Sequence, residues 1–464
     1  MKVGDAVIHS DGLPIPRRYR AMLTIGLGVT MAVLDGAVAN IALPTIAREL
    51  NATAAQSVWV VNAYQLVIVV SLLPLSSLGE IIGYSRIYRV GLAIFGVASL
   101  ACALSNSLET LVAARVLQGI GAACIMSVNS ALVRFIYPRA QLGRGIGIIA
   151  FVVALAAAAG PTVASGILSI APWQWIFAIN VPLSLISIAV AGSLPLTVRA
   201  LHRFDWLSAA LNAAAFGFFI LGVDHLGHGL DHLGRVAIEF AIAIACGFWL
   251  VRRQLSRPAP LLPVDLLRIP IFALSIMTSI CSFGAQMLAY VTLPFYLQNV
   301  LHRSAVETGL LMTPWPIALV FVAPMAGRLA DRYPAGLLGG IGMAIFAVGL
   351  GALAWLPADP SSLDICWRML VCGVGFGLFQ SPNNRTMLSS APIERAGGAS
   401  GMLGTARLTG QTLGTAVVAL IFNLATSNGS RIALMTATSL ALVAMILSSL
   451  RLTDAGSSAQ NGWK

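Results

Sequence analysis

Lysine, and charged residues in general, are scarce in this chain. Only Lys2 and Lys464 occur, so the other 26 basic residues are all arginines, and charged residues of both signs make up 10% of the 464 positions. A Walker A phosphate loop requires its lysine, and Schiff-base catalysis requires a lysine in a pocket, so neither chemistry is available in the body of the chain. Because soluble domains carry about 25% charged residues, this composition excludes a soluble globular enzyme.

Clustered basic residues and paired cysteines are also absent from the sequence. The net charge is +11, but the arginines stand singly between apolar runs, whereas a nucleic-acid-binding protein concentrates them on one face. The six cysteines lie in or beside apolar stretches without a CxxC pair, and in such places cysteine behaves as a small apolar side chain. We therefore expect no nucleic-acid partner and no cofactor.

One short segment contains side chains of the types that bind metal ions. Carboxylates and imidazoles are zinc ligands, but nothing in the spacing supplies the geometry of a complete four-ligand site. A solvated loop is the better interpretation, and we predict no metal site. The residues are Asp224, His225, His228, Asp231 and His232.

Long apolar segments fill most of the chain. Hydrophobic residues make up 58% of it, and the mean hydropathy is +0.87. Most segments reach the roughly 20 residues that a helix needs to cross a bilayer, while the short alternating segments of a membrane β-barrel are missing. The sequence thus predicts an all-α, polytopic membrane protein with 14 transmembrane helices. The predicted spans are 21–47, 57–79, 86–105, 110–134, 143–168, 174–194, 206–224, 234–252, 270–298, 306–330, 335–356, 363–388, 397–424 and 430–450.

The basic residues are distributed unevenly between alternate loops. With the amino terminus inside, 21 of them fall in inside segments, five in outside segments and two within spans. Positively charged loops stay on the cytoplasmic side, so this bias predicts a protein of the cytoplasmic (inner) membrane with both termini in the cytoplasm. The apolar run that follows Arg17, Arg18 and Arg20 is too long for a cleavable signal, so we expect it to remain as the first helix.

A loop motif occurs twice in the sequence. The segment 76–83 resembles the segment 327–334, and aligning Glu80 with Asp331 gives a separation of 251 residues. Each copy follows a predicted span on the inside, after the second and the tenth span. The match suggests that the chain contains two related halves.

A second motif repeats in the same order at nearly the same separation. Arg115-x-Leu-x-x-x-Gly121 resembles Arg368-x-Leu-x-x-x-x-Gly375, at separations of 253 to 254 residues. Duplicated halves with a binding site between them are common in secondary transporters. We therefore predict two pseudo-symmetric six-helix bundles with two inserted helices. The predicted boundaries are a tail over 1–20, a bundle over 21–196, the inserted helices over 206–252, a bundle over 269–450 and a tail over 451–464.

Three charged residues lie within the predicted spans. A carboxylate at the depth of Asp35 costs about 3 kcal/mol or more on insertion scales unless it is paired or hydrated, and burial favours its neutral form, so it is a candidate proton carrier. A structural acid locked in an ion pair is the alternative. Arg115 cannot usefully lose its proton, so we expect it to pair with Asp35 unless it extends to the outer interface. Arg407 either faces a cavity and binds an anion or a carbonyl, or packs against helix ends.

Two acidic residues lie at predicted cytoplasmic helix ends with arginines nearby. We expect Glu80 to form a charge lock between the second and third predicted helices, and Asp331 to form one between the tenth and eleventh. Such locks would hold one access state of a transporter. An ordinary helix-end carboxylate in water is the alternative for each residue.

Other polar and aromatic side chains interrupt the spans and are candidate linings of a substrate cavity. Polar groups in a membrane protein prefer the bundle interior to lipid. For any single one of them, helix–helix hydrogen bonding or placement at the membrane interface is an equally good explanation. The candidates are Asn62, Tyr64, Gln65, Gln286, Tyr290, Trp315, Gln380, Asn383 and Arg407.

Several segments resemble a known family, the fourteen-helix drug:proton antiporter branch of the major facilitator superfamily. The segment 35–44, with the pattern Asp-Gly-x-x-x-Asn-x-Ala-Leu-Pro, looks like the first-helix motif of that branch, and 115–121 is similar to the superfamily's fourth-helix motif. The pair 160–161 resembles the core of the fifth-helix antiporter motif, 327–332 matches the signature cytoplasmic loop, and 175–182 also looks like this branch. The gating and motif positions that follow are Glu80, Gly83, Gln118, Gly119, Gly160, Pro161, Gly327, Asp331 and Arg332.

The resemblance implies a two-bundle transporter that exports small molecules, often lipophilic cations, in exchange for protons. By this resemblance Asp35 would take part in proton coupling, Arg115 would tune it, and Gly160 and Pro161 would shape a kink in the fifth helix. The sequence departs from the family pattern in its first loop motif. It also lacks an acid deep in the tenth span and carries Arg407 in the thirteenth, which makes a dicationic substrate less expected.

The sequence therefore favours proton-coupled export of small hydrophobic or cationic compounds, a form of multidrug efflux. The alternative is a protein of the same fold that exports an endogenous metabolite or an organic anion. A membrane enzyme or a channel is a third interpretation, but no paired catalytic acids support an enzyme. The expected partners are a small-molecule substrate, protons and the lipid bilayer, and we expect a monomer.

Overall fold

The computed structural model describes residues 12–138, 141–195, 197, 204–227, 233–255, 264–391, 396–425 and 428–461. Within these residues the regular structure is entirely helical. Short 3-10 segments at Ala191–Ser193 and Val264–Arg268 and a π-helical turn at Tyr296–Val300 accompany the α-helices. The α-helices are α1 (Ile15–Glu49), α2 (Ala54–Ser57), α3 (Trp59–Ile82), α4 (Tyr84–Ala103), α5 (Leu108–Ile136), α6 (Leu142–Ile170), α7 (Gln174–Ala178), α8 (Asn180–Val190), α9 (Trp206–Gly227), α10 (Leu233–Leu255), α11 (Pro270–Phe295), α12 (Ala305–Met312), α13 (Pro314–Leu329), α14 (Ala335–Ala354), α15 (Ser362–Ser390), α16 (Ala396–Leu424) and α17 (Gly429–Asn461).

Thirteen helical segments of the described residues are long and apolar enough to cross a membrane. Three of them join neighbouring helices into one span, namely α2 with α3, α7 with α8, and α12 with α13. The all-α polytopic fold is therefore confirmed. The helix α16 is 29 residues long but is not one of the thirteen, because glycine, threonine and Arg407 dilute its apolar residues. The count of fourteen spans stays a prediction.

The long helices run alternately between two ends of the molecule. We call the end that holds Ile15 the proximal end and the end that holds Glu49 the distal end. At the proximal end the backbone N–H of Leu13 donates to the carbonyl of Ile136, 3.0 Å away, and Nε of Arg17 donates to the carbonyl of Ser193. These contacts join the start of α1 to the ends of α5 and α8.

Four helices at the distal end begin with the same kind of cap, at equivalent places in two parts of the chain. Thr53 caps α2 and Ser304 caps α12, 251 residues later, and each hydroxyl accepts from the backbone N–H three residues on. Ser107 caps α5 and Ser361 caps α15, 254 residues later. A capping hydroxyl satisfies one of the N–H groups that a helix start leaves unpaired. The separations match those of the repeated sequence motifs.

Glycines set the same close helix crossing in both parts of the chain. A Cβ on Gly91 of α4 would lie 3.0 Å from the carbonyl oxygen of Gly121 in α5, and a Cβ on Gly342 of α14 would lie 2.7 Å from that of Gly375 in α15. No larger residue fits either crossing without moving backbone. We call α1–α8 the first group and α11–α17 the second group. The largest apolar cluster contains residues of both groups. The domain boundaries themselves stay a prediction.

The helices α9 and α10 form the inserted pair and pack against each other, and α9 also packs against α3 and α16. At its proximal end Asp205 accepts from Nη2 of Arg253 at 3.1 Å and from the hydroxyl of Ser208 at 2.8 Å. Partial burial raises the pKa of Asp205, but these hydrogen bonds outweigh it and lower the pKa below its usual value. The ion pair therefore ties the two helices together at neutral pH.

Candidate functional site

A carboxylate and a guanidinium form an ion pair inside the first group. Asp35 lies in the middle of α1 and is 2% exposed, and Arg115, in the second turn of α5, is fully buried. Nη1 of Arg115 donates to Oδ2 of Asp35, and Nε donates to the backbone carbonyl of Val60 in α3 at 2.9 Å. Arg115 thus holds α1, α3 and α5 together, and the expected contact with Asp35 is present.

Two amide side chains complete the surroundings of the carboxylate. Nε2 of Gln118 donates to Oδ1 of Asp35 at 2.9 Å, and Nδ2 of Asn180 donates to the same oxygen at 2.8 Å. Gln118 also contacts the hydroxyl of Ser99 in α4 at 2.9 Å, and its Oε1 accepts from Nη1 of Arg115 at 2.6 Å. A buried charge is tolerated when its partners are charged or hydrogen-bonded. Asp35 therefore connects α1 to α5 and to the start of α8.

Aromatic rings cover the guanidinium. Its central carbon lies 4.0 Å from the ring centre of Tyr64 and 5.4 Å from that of Phe177, within the range of cation–π attraction. The Tyr64 hydroxyl donates to the carbonyl of Ala32 in α1 at 2.9 Å. Nη2 of Arg115 is buried without a hydrogen-bond partner. The predicted cavity residue Tyr64 is thus part of the ion-pair site.

Glycines bring the helices close enough for this contact. A Cβ on Gly119 of α5 would lie 2.8 Å from the carbonyl oxygen of Tyr64, and a Cβ on Gly160 of α6 would overlap the Cβ of Ala37 in α1. The motif residue Pro161 follows Gly160 within a continuous α6. Gly119 and Gly160 therefore set the spacing of α5 against α3 and of α6 against α1 beside Asp35.

Asn180 and Ser99 are site residues that the sequence reasoning missed. Asn180 belongs to the segment 175–182 that resembles the family, but no role followed from that resemblance. Its position two residues before Pro182, at the start of an apolar run, was the available signal. Ser99 gives no signal, because a serine within an apolar helix commonly donates to its own backbone, as Ser99 does to Phe95 at 2.7 Å.

Gln65 connects the first group to the second. Its Oε1 accepts from the hydroxyl of Thr415 in α16 at 3.1 Å, and its Nε2 lies 3.6 Å from the sulfur of Met287 in α11. Asn62, three residues earlier, is buried, and its Oδ1 has no hydrogen-bond partner. The predicted cavity residue Gln65 therefore lies at the interface of the two groups.

The predicted aromatic lining belongs to a packed cluster of the second group. The rings of Tyr290 and Trp315 have centres 4.8 Å apart, and Trp315 also contacts Phe346 at 5.4 Å. Trp315 is fully buried, and its Nε1 has no hydrogen-bond partner. Gln286 and Gln380 are each partly exposed.

Asn383 lies in a second polar cluster, apart from Asp35. Its Oδ1 accepts from Nη1 of Arg451 at 2.6 Å, and its Nδ2 donates to the hydroxyl of Ser279 at 2.8 Å. Nη1 of Arg451 also donates to the hydroxyl of Ser275 at 3.0 Å, and Nη2 donates to that of Ser448. The sequence interpretation had placed Arg451 in the carboxyl-terminal tail, but it is 2% exposed and joins α11, α15 and α17.

The two predicted gates differ in their contacts. Asp331 pairs with Arg385 of α15, the twelfth predicted span, and both side chains are more than half exposed. The lock was expected to join the tenth and eleventh spans, so its partner differs from the expectation. The motif residues Gly327 and Arg332 flank this site, and Arg332 is exposed.

In the first group Glu80 is half-buried near the end of α3, and Gly83 ends that helix with a φ of 106°. This left-handed region favours glycine. The hydroxyl of Thr197 accepts from the backbone N–H of Tyr84 at 3.1 Å. The end of α3 is thus fixed against the segment that follows α8.

The Asp/His segment of the inserted pair is only partly described. Nδ1 of His225 lies 2.9 Å from Oε2 of Glu239 in α10, and Arg235 contacts the other oxygen of Glu239 at 3.2 Å. His228, Asp231 and His232 lie outside the described residues, as does the side chain of Asp224.

Hydrogen bonds join the two groups at the distal end. The hydroxyls of Thr162 in α6 and Thr313 beside α13 are 3.0 Å apart, and the hydroxyl of Ser165 donates to the carbonyl of Val306 in α12 at 3.0 Å. Gln298 donates to the carbonyl of Ile41 at 3.0 Å. These contacts hold the groups together on the distal side of Asp35.

Comparison with known proteins identifies close sequence relatives. The sequence profile of the Major Facilitator Superfamily matches residues 25–415. A protein named uncharacterized transporter YebQ, of Escherichia coli (strain K12), is 57% identical over 96% of this chain and 98% of its own length. The riboflavin transporter RibZ of Clostridioides difficile (strain 630) is 29% identical over 88% of each chain. The tetracenomycin C resistance and export protein of Streptomyces glaucescens is 33% identical over 87% of this chain and 76% of its own.

Solved structures share the fold. A bacterial homologue of the human lysosomal transporter Spinster, in an inward-facing and unoccupied conformation, superposes with a TM-score of 0.69 over 94% of this chain and 97% of that one. The sequence identity is 15%, so this likeness concerns the fold alone.

Proposed function

Because this chain belongs to the Major Facilitator Superfamily, we propose that it exports small hydrophobic or cationic compounds across the cytoplasmic membrane in exchange for protons. The family and the fold make it a multi-pass membrane transporter of small molecules and not an enzyme. The observation that carries the proposed coupling is the buried ion pair of Asp35 and Arg115. The relative from Streptomyces glaucescens, named for resistance and export, supports the direction of transport.

Protonation of Asp35 would weaken the contacts that join α1 to its neighbours. Two unit charges 4 Å apart attract by about 4 kcal/mol at an effective dielectric constant of 20, so removing one charge alters the site by this order. Arg115 keeps its proton, and it still has the carbonyl of Val60 and Oε1 of Gln118 as acceptors. Protonation of Asp35 therefore weakens the attachment of α1 to α5, while α3 and α5 stay joined.

The distal contacts suggest which access state this arrangement represents. With both termini in the cytoplasm, the distal end faces outward, and the contacts of Thr162 with Thr313 and of Ser165 with Val306 close that side. A substrate would then enter from the cytoplasm. In the opposite state those contacts separate, and a proton from outside can reach Asp35 and displace the substrate.

Purified protein in liposomes with an imposed pH gradient tests this proposal. Ethidium serves as the cationic probe and Nile red as the neutral probe, and the rate of gradient-driven movement is measured. We expect Asp35→Asn to abolish the gradient-dependent rate while the protein still folds and inserts. The matched control is Asp364→Asn, because that carboxylate pairs with Arg368 near the distal end, away from the site. Unchanged gradient-driven transport in Asp35→Asn would contradict the proposed coupling.

A further inference from the structure

Three arginines among the described residues lie deep within helices, and they differ in what compensates their charge. Arg115 pairs with Asp35, and Arg451 donates to hydroxyl and amide oxygens. Arg407 of α16 makes no hydrogen bond and no ion pair with any described residue, and its Nε is buried without a partner. Since a buried polar group without a partner destabilises a protein, its retention calls for a ligand or another explanation.

One face of α16 near Arg407 contacts α3. A Cβ on Gly404 would lie 3.7 Å from Cδ2 of Leu72 in α3. Leu408 belongs to the same apolar cluster as Tyr64 and Leu72. Positions three or four residues apart share a helix face, so this face of α16 is occupied by α3.

A neighbouring face of α16 contacts α11. A Cβ on Gly410 would lie 3.1 Å from the backbone nitrogen of Gly284, and a Cβ on Gly414 would lie 2.5 Å from the carbonyl oxygen of Gly284. At 3.6 residues per turn, Arg407 and Gln411 fall on the strip between the faces that α3 and α11 occupy. Arg407 and Gln411 are each partly exposed, so neither α3 nor α11 covers this strip completely.

We propose that Arg407, with Gln411 one turn away, binds an acidic or strongly hydrogen-bond-accepting group on the transported compound. The substrate class is therefore hydrophobic molecules that carry a carboxylate or a comparable anionic oxygen. This inference rests on the proposed export function, and it narrows the substrate to those hydrophobic compounds that carry such an oxygen, with or without a cationic group. Arg407 has no acidic partner among the described residues, so its positive charge favours an anionic oxygen beside it.

The test compares one dye in two charge states. A rhodamine with a free carboxylate and the ethyl ester of the same dye have nearly the same apolar body. Their dissociation constants are measured in detergent by fluorescence, without a pH gradient, for the parent protein and for Arg407→Gln and Arg407→Lys. The control is Arg431→Gln, because Arg431 lies over Trp355 at the distal end, 4.1 Å from its ring centre.

We expect the parent to bind the carboxylate dye more tightly than the ester. Loss of a charge-assisted hydrogen bond should raise the dissociation constant of the carboxylate dye about tenfold to a hundredfold in Arg407→Gln and leave the ester nearly unchanged. Arg407→Lys should retain part of the preference. Equal weakening of both dyes, or a parent without preference, would overturn the inference. Binding needs no proton gradient, so failure here is distinct from failure of the proton-coupled export.

A separate observation concerns how the inserted pair contacts α3. Pro74 lies inside α3 and has no backbone N–H, so the carbonyl of Val70 lacks its normal helical donor. Asn212 of α9 fills this place, because its Nδ2 donates to the Val70 carbonyl at 2.9 Å. Asn212 is 1% exposed, so water does not compete for the contact. We propose that α9 serves as a brace that fixes α3 at its proline.

The brace would act on the gate, because α3 continues from Pro74 to Glu80 and Gly83. Apolar contacts anchor the other end of α9, where Ile220 and Val223 cluster with Ala416 of α16. The helix α9 thus contacts one helix from each group, α3 and α16. This arrangement makes Asn212 a positioning residue, which acts through α3 and not through contact with the substrate.

A double-mutant cycle separates the brace from general packing. In the parent, Asn212→Leu leaves the Val70 carbonyl without a donor, so we expect a severalfold slower transport rate per folded molecule. Pro74→Ala restores the helical donor, so in that background Asn212→Leu should change the rate little. Equal losses in both backgrounds, or no loss in the parent background, would overturn the proposal. The folded amount of each variant is measured by size exclusion.

Discussion

Replacing Asn180 with alanine tests one hydrogen bond of the ion-pair site. Nδ2 of Asn180 lies 2.8 Å from Oδ1 of Asp35, and the side chain is 1% exposed. A hydrogen bond to a charged group contributes about 1.5–3 kcal/mol, and this one is buried away from bulk water. We therefore expect Asn180→Ala to lower the free energy of unfolding by about 1.5–3 kcal/mol.

Reversible unfolding in mixed micelles, followed by tryptophan fluorescence, measures this change. The control is Asn299→Ala, because Asn299 is exposed at the distal end and its loss should alter stability by no more than about 0.5 kcal/mol. A loss in Asn180→Ala that is no larger than the control would refute the reasoning.

Two further predictions concern the helix crossing and the gate. A Cβ on Gly121 would lie 2.6 Å from the backbone nitrogen of Phe95. We therefore expect Gly121→Leu to lower the free energy of unfolding by at least about 1–3 kcal/mol and to reduce the folded fraction in size exclusion. The control is Gly147→Leu, which should not do so, because a Cβ there meets nothing within 4 Å. Asp331→Asn removes an exposed ion pair with Arg385. Because solvent screens such a pair, the free energy of unfolding should change by less than about 1 kcal/mol, while the transport rate changes. A larger loss of stability would show that solvent does not screen the pair.

The sequence predicted the contact of Asp35 with Arg115 because a charge at that depth needs a compensating partner. Few ionisable residues lie in the spans, so Asp35 has few possible partners of opposite charge. The pairing could therefore be predicted although α1 and α5 are far apart along the chain. Asn180 was missed because a single amide in an apolar helix has many possible partners, and only the folded chain identifies one. Hydropathy assigns Arg451 to the end of a span, yet it cannot show that Ser275 and Asn383 surround it.

The repeat was predictable in outline but not in its contacts. Glu80 and Asp331 align at one separation, and the helix caps and glycine crossings of the two groups follow the same spacing. The partner of Asp331 differed from the expectation because Arg385 approaches from α15 across the proximal end, which sequence order does not show. Trp315 was expected to line a cavity, but its contacts with Tyr290 and Phe346 place it in an aromatic cluster.

The most direct test of the central claim measures proton movement itself. Liposomes that contain the purified protein and a trapped pH-sensitive dye receive an outward substrate gradient, and the internal pH is followed. If Asp35 carries the exchanged proton, the parent and Asp364→Asn should show substrate-dependent proton movement opposite to the substrate, and Asp35→Asn should show none. Proton movement of the parent size in Asp35→Asn would contradict the account.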